Sequence, residues 1–266
     1  GPTPYGDLDA SVNWSRLNSN EEVTGYTVGM DNGQIFNFKD IYIRGFDFTH
    51  SFSPLSFPGQ LLKGFFFRSP AFNKTIEYSV MHGREKQYYY GSISPGIISK
   101  KDSFVEGLRL SLFPYGKNKF FFNYAHGYGS DRDNFLKEKV FSFQSEHLLD
   151  KLTLTSELAS DEDAIAASFS SVLRMPRLTL RASFRDTEKQ FVTITGRPPN
   201  LGEVGGIVGF DWYPSQNLSF TSNFDIYRDK NLFNPNKARK ANISWDGSMN
   251  LRLNPESNIA TNAYYV

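Results

Sequence analysis

The chain has 266 residues, 39% hydrophobic and 16% aromatic, with 25 Phe, 14 Tyr, 3 Trp, no Cys and a net charge of +1. A near-neutral charge with no basic tail or helix gives nucleic acid no foothold, and without cysteine there is neither a disulfide framework nor a thiolate metal site. Mean hydropathy is −0.44, and no stretch approaches the length of about 18 apolar residues that a transmembrane helix needs; a transmembrane barrel, half polar by construction, stays open.

In chain order, the opening Gly1-Pro2 reads as the scar of a removed tag. Leu8, Ala10, Val12 and Trp14 then alternate with Asp9, Ser11, Asn13 and Ser15, the period of a strand with one apolar and one polar face. The runs 23–30, 41–52, 60–68 and 74–82 read as further strands, with Ile76, Tyr78 and Val80 on one side of the last. The stretch "QYYYGSISPGIISKKD" fits either a strand or part of a long outer loop. Leu108, Leu110 and Leu112 alternate with Gly107, Arg109 and Ser111. Beyond them, strands are separated by short and long connections in turn. The short ones are 113–118, 149–150, 175–176, 214–217 and 254–257; the long ones are 127–138, 186–203 and 229–240. The link 160–163 is short where the order calls for a long loop.

The stretch "RLTLRASFRD", residues 177–186, is the most regular. As a helix, at about 100° per residue, it would place Leu178 and Ala182 nearly opposite Leu180 and Phe184, leaving no clean stripe to bury. As a strand it has one wholly apolar face and one carrying Arg177, Arg181 and Arg185. Leu218, Phe220, Phe224 and Ile226 alternate in the same way, as do Ile243, Trp245, Met249, Leu251 and Leu253. Such runs approach ten residues, longer than the usual five or six and about what a tilted strand needs to cross a bilayer.

The expectation is therefore an all-β chain, one domain over 1–266, forming an antiparallel up-and-down transmembrane barrel of about 14 strands, with 12 to 16 allowed by the uncertain first hundred residues. Alternating stretches such as "LTLRASF" and "NISWDGSMNLRL", with turns short at one end and long at the other, resemble bacterial outer-membrane β-barrels of the porin-like kind. The resemblance spans almost the whole length but is one of pattern, without a motif that picks a subfamily. It implies outer-membrane localisation, contact with outer-membrane lipids and with the barrel-assembly machinery, and a passive channel for small solutes. Such barrels usually finish on a Phe or Trp. Here the end is "NAYYV", so either that signal is degenerate at Val266 or the chain is a fragment of a longer barrel.

In a membrane the apolar face meets lipid, where each arginine near midplane would cost about 2–4 kcal/mol. Three would cost roughly the whole stability of a domain, so Arg177, Arg181 and Arg185 face the lumen. With Arg109, Asp225, Asp246 and Arg252, on the polar sides of their own strands, they form the expected lumen-lining set. Two roles are open to the arginines: pairing with acids that holds the barrel's shape, or selection of anions.

No cofactor, metal site or enzymatic role is expected. His50, His82, His126 and His147 lack metal-ligand spacing; His82 and His126, each before a glycine and at or near a strand end, could share a site but read better as satisfied or loop histidines. No G-x-S-x-G element occurs, and "VGGIVGF" at 204–210 reads as a closely packed strand, not a phosphate loop. Asn-X-Ser/Thr triplets at Asn13, Asn73, Asn217 and Asn242 read as chance matches. "FVTITGRPP", 191–199, either folds inward as a constriction or forms a surface hairpin. Two alternatives to a channel remain: a barrel that sheathes or anchors a partner protein or plug, and a soluble secreted all-β carbohydrate-binding protein using Tyr88, Tyr89 and Tyr90; association as a homo-oligomer is open to the barrel.

Overall fold

The computed structural model describes residues 1–17, 20–35, 38–90, 95–130, 138–195, 198, 200–230, 241–254 and 257–265; for 14–17, 20–24, 35, 38, 87–90, 95–101 and 254 it describes the backbone alone. Among the described residues, 16 strands form one sheet in strict sequence order. They are β1 Pro2–Thr3, β2 Gly6–Leu17, β3 Asn20–Ile35, β4 Phe38–His50, β5 Gln60–Ala71, β6 Ile76–Tyr90, β7 Pro95–Leu112 and β8 Asn118–Tyr128. The second half holds β9 Lys139–Leu149, β10 Leu152–Ser160, β11 Ile165–Met175, β12 Leu178–Thr187, β13 Glu203–Ser215, β14 Leu218–Asp229, β15 Asn242–Asn254 and β16 Ser257–Tyr265. The count exceeds the central expectation of 14. The two-residue β1 adds one strand, whereas the ambiguous stretch "QYYYGSISPGIISKKD" adds none: its described residues extend β6 and β7.

The turns follow local chemistry. Asp150 takes φ of 48° in the two-residue link between β9 and β10, the left-handed start that tight hairpins require. Phe72, Asn73 and Lys74 are left-handed in succession, with φ of 48°, 53° and 66°, between β5 and β6. The long connections 127–138 and 229–240 fall largely outside the described residues.

The chain divides into two compact units. The first holds residues 1–143, 159–162 and 192–198; the second holds 144–158, 163–191 and 199–266. In the first, the rows Phe67–Val80–Leu108–Tyr124 and Phe66–Met81–Gly107–Ala125 lie on opposite faces, each running across β5 to β8. The former face exposes Phe65, Leu108, Leu110 and Phe122, whereas Phe66, Met81, Val105 and Ala125 are buried. An apolar face left open beside a covered one reverses the usual order of a water-soluble domain.

In the second unit the register carries one apolar band through consecutive strands. Leu180 pairs with Phe210, Leu178 with Trp212, and Trp212 with Phe220. Phe224 pairs with Trp245, and Phe220 with Met249. Phe184 is 47% exposed, Val208 63% and Leu253 58%. Ser222 interrupts the band, and its hydroxyl is satisfied by the Trp245 indole N–H at 2.8 Å.

Candidate functional site

The covered face of the first unit has an uncommon cover. The connection 51–59, between β4 and β5, folds onto it instead of standing off the strand ends. The strand expected over 41–52 stops at His50. Phe52 N–H then donates to Phe57 carbonyl oxygen at 2.9 Å, and Ser53 bridges Phe57, closing the connection on itself. Phe52, Leu55 and Phe57 are buried. Gly107 makes room for the Phe52 ring: a Cβ there would lie 3.1 Å from Phe52 Cζ and 2.7 Å from Met81 Cε. Arg109 fixes the connection by donating to the Phe52 carbonyl and lies over the Phe121 ring, 4.0 Å from its centroid.

A second inward segment meets the first. Val192, Thr193 and Ile194 are buried. Ile194 N–H donates to the Ser56 carbonyl at 3.3 Å, and Val192 N–H to Asp161 Oδ2 at 2.9 Å. Of the two placements expected for "FVTITGRPP", the inward one is found and the surface hairpin is not. Phe191, Val192 and Ile194 explain it, since their burial removes large apolar surface from water, and the Thr193 hydroxyl lies within hydrogen-bond distance of that of Thr195.

Polar groups collect beneath these segments. The row Arg68–Ser79–Arg109–Asn123 crosses β5 to β8 on the covered face. Ser53 Oγ lies 2.6 Å from Ser56 Oγ and 3.3 Å from Ser142 Oγ, and Asn123 Nδ2 donates to Ser142 Oγ at 2.9 Å. Ser111 Oγ and Asn123 Oδ1 are buried with no hydrogen-bond partner among the described residues. Buried polar atoms are normally satisfied by protein or water, and these two oxygens are left as acceptors on the covered face. Next to it, a cavity of about 360 Å³ is lined by Asn13, Thr27, Tyr42, Arg44, Asp47, His50 and Phe66 among others. Asp47 forms a buried ion pair of 2.7 Å with Lys86. Arg44 reaches over Gly29 to Asp9 and Asp31, both at 3.1 Å.

The second unit repeats that last device on the polar face of β12 to β15. Arg181 stands opposite Gly209 and Arg185 opposite Gly205. From these positions each guanidinium reaches past β13 to a side chain of β14. Arg181 pairs with Asp211 and donates to Asn223 Oδ1 at 3.2 Å. Arg185 donates to Glu203 at 2.9 Å and grips Asp225 with two bonds of 3.1 and 3.0 Å. Asp246 accepts from Asn223 Nδ2 at 3.0 Å, extending the network to β15.

Arg177 departs from the expected ladder. It belongs to the turn before β12, and Nη1 donates to the Pro214 carbonyl at 3.2 Å. Arg252 sits two residues from the end of β15, on the polar face with Asp246. Arg109 lies in the first unit and the other six residues of the expected set in the second. His82 is also placed differently: it sits within β6, not at a strand end. It does converge with His126, each ring turning Nδ1 toward Glu106, at 4.0 and 2.9 Å. The side chains of Tyr88, Tyr89 and Tyr90 and the end residue Val266 lie outside the described residues. The connection 51–59 was missed in the sequence, although "SFSPLSFPG" is too apolar for a surface loop.

No family model matches the chain, and no curated protein matches it in sequence. Solved structures do match. The Pseudomonas aeruginosa channel OccK5 (OpdH) aligns with a TM-score of 0.56 at 11% identity, over 97% of this chain and 80% of that one. OccK2 (OpdF) from the same organism, in complex with glucuronate, gives 0.56 at 9%, over 97% and 79%. The outer membrane protein OprD of P. aeruginosa gives 0.54 at 10%, over 97% and 77%. At such identities the likeness is one of fold: the antiparallel up-and-down β-barrel of these porins.

Proposed function

We propose that the chain is an outer-membrane channel that passively conducts small hydrophilic solutes along its polar face. The observation that carries this reading is the inward folding of 51–59 and 192–195 over a row of Arg68, Ser79, Arg109 and Asn123, while the opposite face of the same strands leaves large apolar groups open. Strands with that distribution suit lipid outside and water inside, and inward segments narrow a lumen that would otherwise pass solutes unselectively. In this reading Arg109, Arg181, Arg185, Asp225, Asp246 and Arg252 line the lumen, and Arg177 stands at its short-turn mouth.

The solute class follows from the narrowed region. Arg44 lines the cavity, Arg68 lies over the ring of Tyr42 in its wall, and Arg109 follows Arg68 in the same row, with the Ser111 and Asn123 oxygens near it. Cations flanked by hydroxyl and amide groups suit a small polar solute bearing a carboxylate. The glucuronate bound by the similar OccK2 is of that chemical kind.

Reconstitution into planar bilayers tests the reading. Discrete, ohmic current steps are expected, reduced reversibly by millimolar sugar acids. A chain that stays monodisperse without detergent and adds no conductance would overturn it.

A further inference from the structure

Lys63 on β5 and Arg84 on β6 are direct cross-strand partners. Directly opposed side chains stand about 5 Å apart, and like charges so placed repel. Ordinary sheets avoid the arrangement or set an acid beside it. Asp47 stands opposite Lys63 on β4, but its carboxylate is buried and pairs with Lys86 at 2.7 Å, and among the described residues neither cation has an ion pair of its own. Each instead rests on a ring: Lys63 Nζ is 5.2 Å from the Tyr26 centroid, and the Arg84 guanidinium carbon is 5.4 Å from that of Phe104. Asp102, the acid beside Arg84, accepts from Ser130 N–H at 2.9 Å and from the Ser130 hydroxyl.

The pair's place on the sheet says what belongs there. It lies on the apolar, uncovered face. The next row on that face, two residues along, is Phe65–His82–Glu106–His126. Around it the rings of Phe65, His82, Phe104 and Tyr128 form a raft, with His82–Phe104 centroids 6.1 Å apart and Phe104–Tyr128 centroids 5.6 Å apart. One row further is the wholly apolar Phe67–Val80–Leu108–Tyr124, about 13 Å from the cations at about 3.3 Å per residue. An apolar band, then a row that mixes Phe65 with His82, Glu106 and His126, and last the row in which the cations stand beside Phe104 and Tyr128, follow the order of hydrocarbon, interface and headgroups. The longest connections around the pair, 51–59 and 129–138, stand at this end, where the short 91–94 joins the two longest strands of the group, β6 and β7; at the other end 72–75 and 113–117 are both short. Long loops stand on the extracellular side of such barrels, so the cations face the outer leaflet.

We propose that Lys63 and Arg84 together bind a phosphate of a phosphorylated glycolipid of the outer leaflet. A phosphate places two anionic oxygens between the opposed cations, relieves their repulsion and takes the hydrogen bonds the rings do not supply. The acyl chains then lie along Phe65, Phe67 and Leu108. The proposal rests on the reading of the chain as an outer-membrane barrel.

The test is native mass spectrometry of the full chain released from detergent with bis-phosphorylated lipid A, with the same lipid stripped of phosphate, or with phosphatidylglycerol. The wild type should retain bis-phosphorylated lipid A and lose the dephosphorylated form. Lys63→Gln/Arg84→Gln should weaken retention about tenfold or more, the loss of charge-assisted contacts. Lys63→Gln alone should give a smaller drop, and it serves where the double variant does not fold. Equal retention by wild type and variants, or equal retention of dephosphorylated lipid, overturns the proposal. Phosphatidylglycerol held as firmly as lipid A overturns the assignment to an outer-leaflet glycolipid. Folding and conductance are read separately on the same samples, so failure of the channel reading shows as absent current whatever lipid is held.

Discussion

Removing the positive charge of Arg185 should expose how far the polar face of the second unit is self-neutralised. Its guanidinium bonds Glu203 at 2.9 Å and Asp225 at 3.1 and 3.0 Å. The side chains of Arg185, Glu203 and Asp225 are only 11%, 21% and 23% exposed. An exposed ion pair contributes about 0–1 kcal/mol, but this one is bidentate and largely shielded. Arg185→Gln strands two carboxylates, so unfolding by urea from detergent or lipid should become easier by about 3 kcal/mol. Combined with Asp225→Asn in a double-mutant cycle, the coupling should come to about 1.5–3 kcal/mol. The two single variants should also shift the reversal potential under a salt gradient in opposite directions, Arg185→Gln toward cations and Asp225→Asn toward anions. Both shifts should shrink as salt rises, because the screening length is about 10 Å at 0.1 M. A coupling below about 0.5 kcal/mol, or shifts of the same sign, would refute the network as the structure draws it.

Three further outcomes are expected. In Gly29→Ala the new Cβ would lie 2.6 Å from Arg44 Cζ and 2.7 Å from Asp9 Oδ1, so the guanidinium must leave both acids; a net loss of about 1 kcal/mol should remain after the gain of about 0.5–1 kcal/mol from removing a strand glycine, and a stabilised variant in urea titration would contradict this. Single cysteines at Leu180, Phe184 and Phe224 should react with lipid-soluble labels, and those at Ser183 and Asn223 with water-soluble ones; a mixed pattern along one strand would break the register, since a slip of one residue exchanges the faces. Burial first, and then the Glu77 carboxylate that accepts its hydroxyl at 3.0 Å, raise the pKa of Tyr115 in its short turn. Because the folded value is the higher one, the associated stability is complete below the ordinary tyrosine pKa of about 10 and fades as pH rises through the raised value. Tyr115→Phe should thus flatten stability above about pH 10, and an unchanged alkaline profile would count against the Glu77 contact.

The sheet was legible in the sequence because its signal is local. Alternation in Leu178–Phe184, Leu218–Ile226 and Ile243–Leu253 places apolar groups on one face whatever the neighbours are, and the register keeps them in one band. The arginine face was legible for the same reason, apart from Arg177, where the alternation continues one residue past the strand into a turn. The partners of Arg181 and Arg185 were not, because Asn223 and Asp225 lie two strands away, on β14, and nothing in "RLTLRASFRD" announces which residues the register brings within reach. The inward cover was half legible. Phe52, Leu55 and Phe57 are too apolar for a water-facing loop, but the contact that holds the cover to 192–194 joins Ser56 to Ile194, far apart in the chain and through backbone atoms that carry no sequence signature.

The conductance of one channel with and without its inward cover tests the proposed function most directly. Residues 192–195 are replaced by a Gly-Ser linker of equal length, which removes the buried Val192 and Ile194 side chains and leaves the strands intact. Single-channel recordings in planar bilayers should then show current steps clearly larger than those of the wild type, with weaker block by sugar acids. Steps of the same size and the same block would contradict a lumen narrowed by these segments.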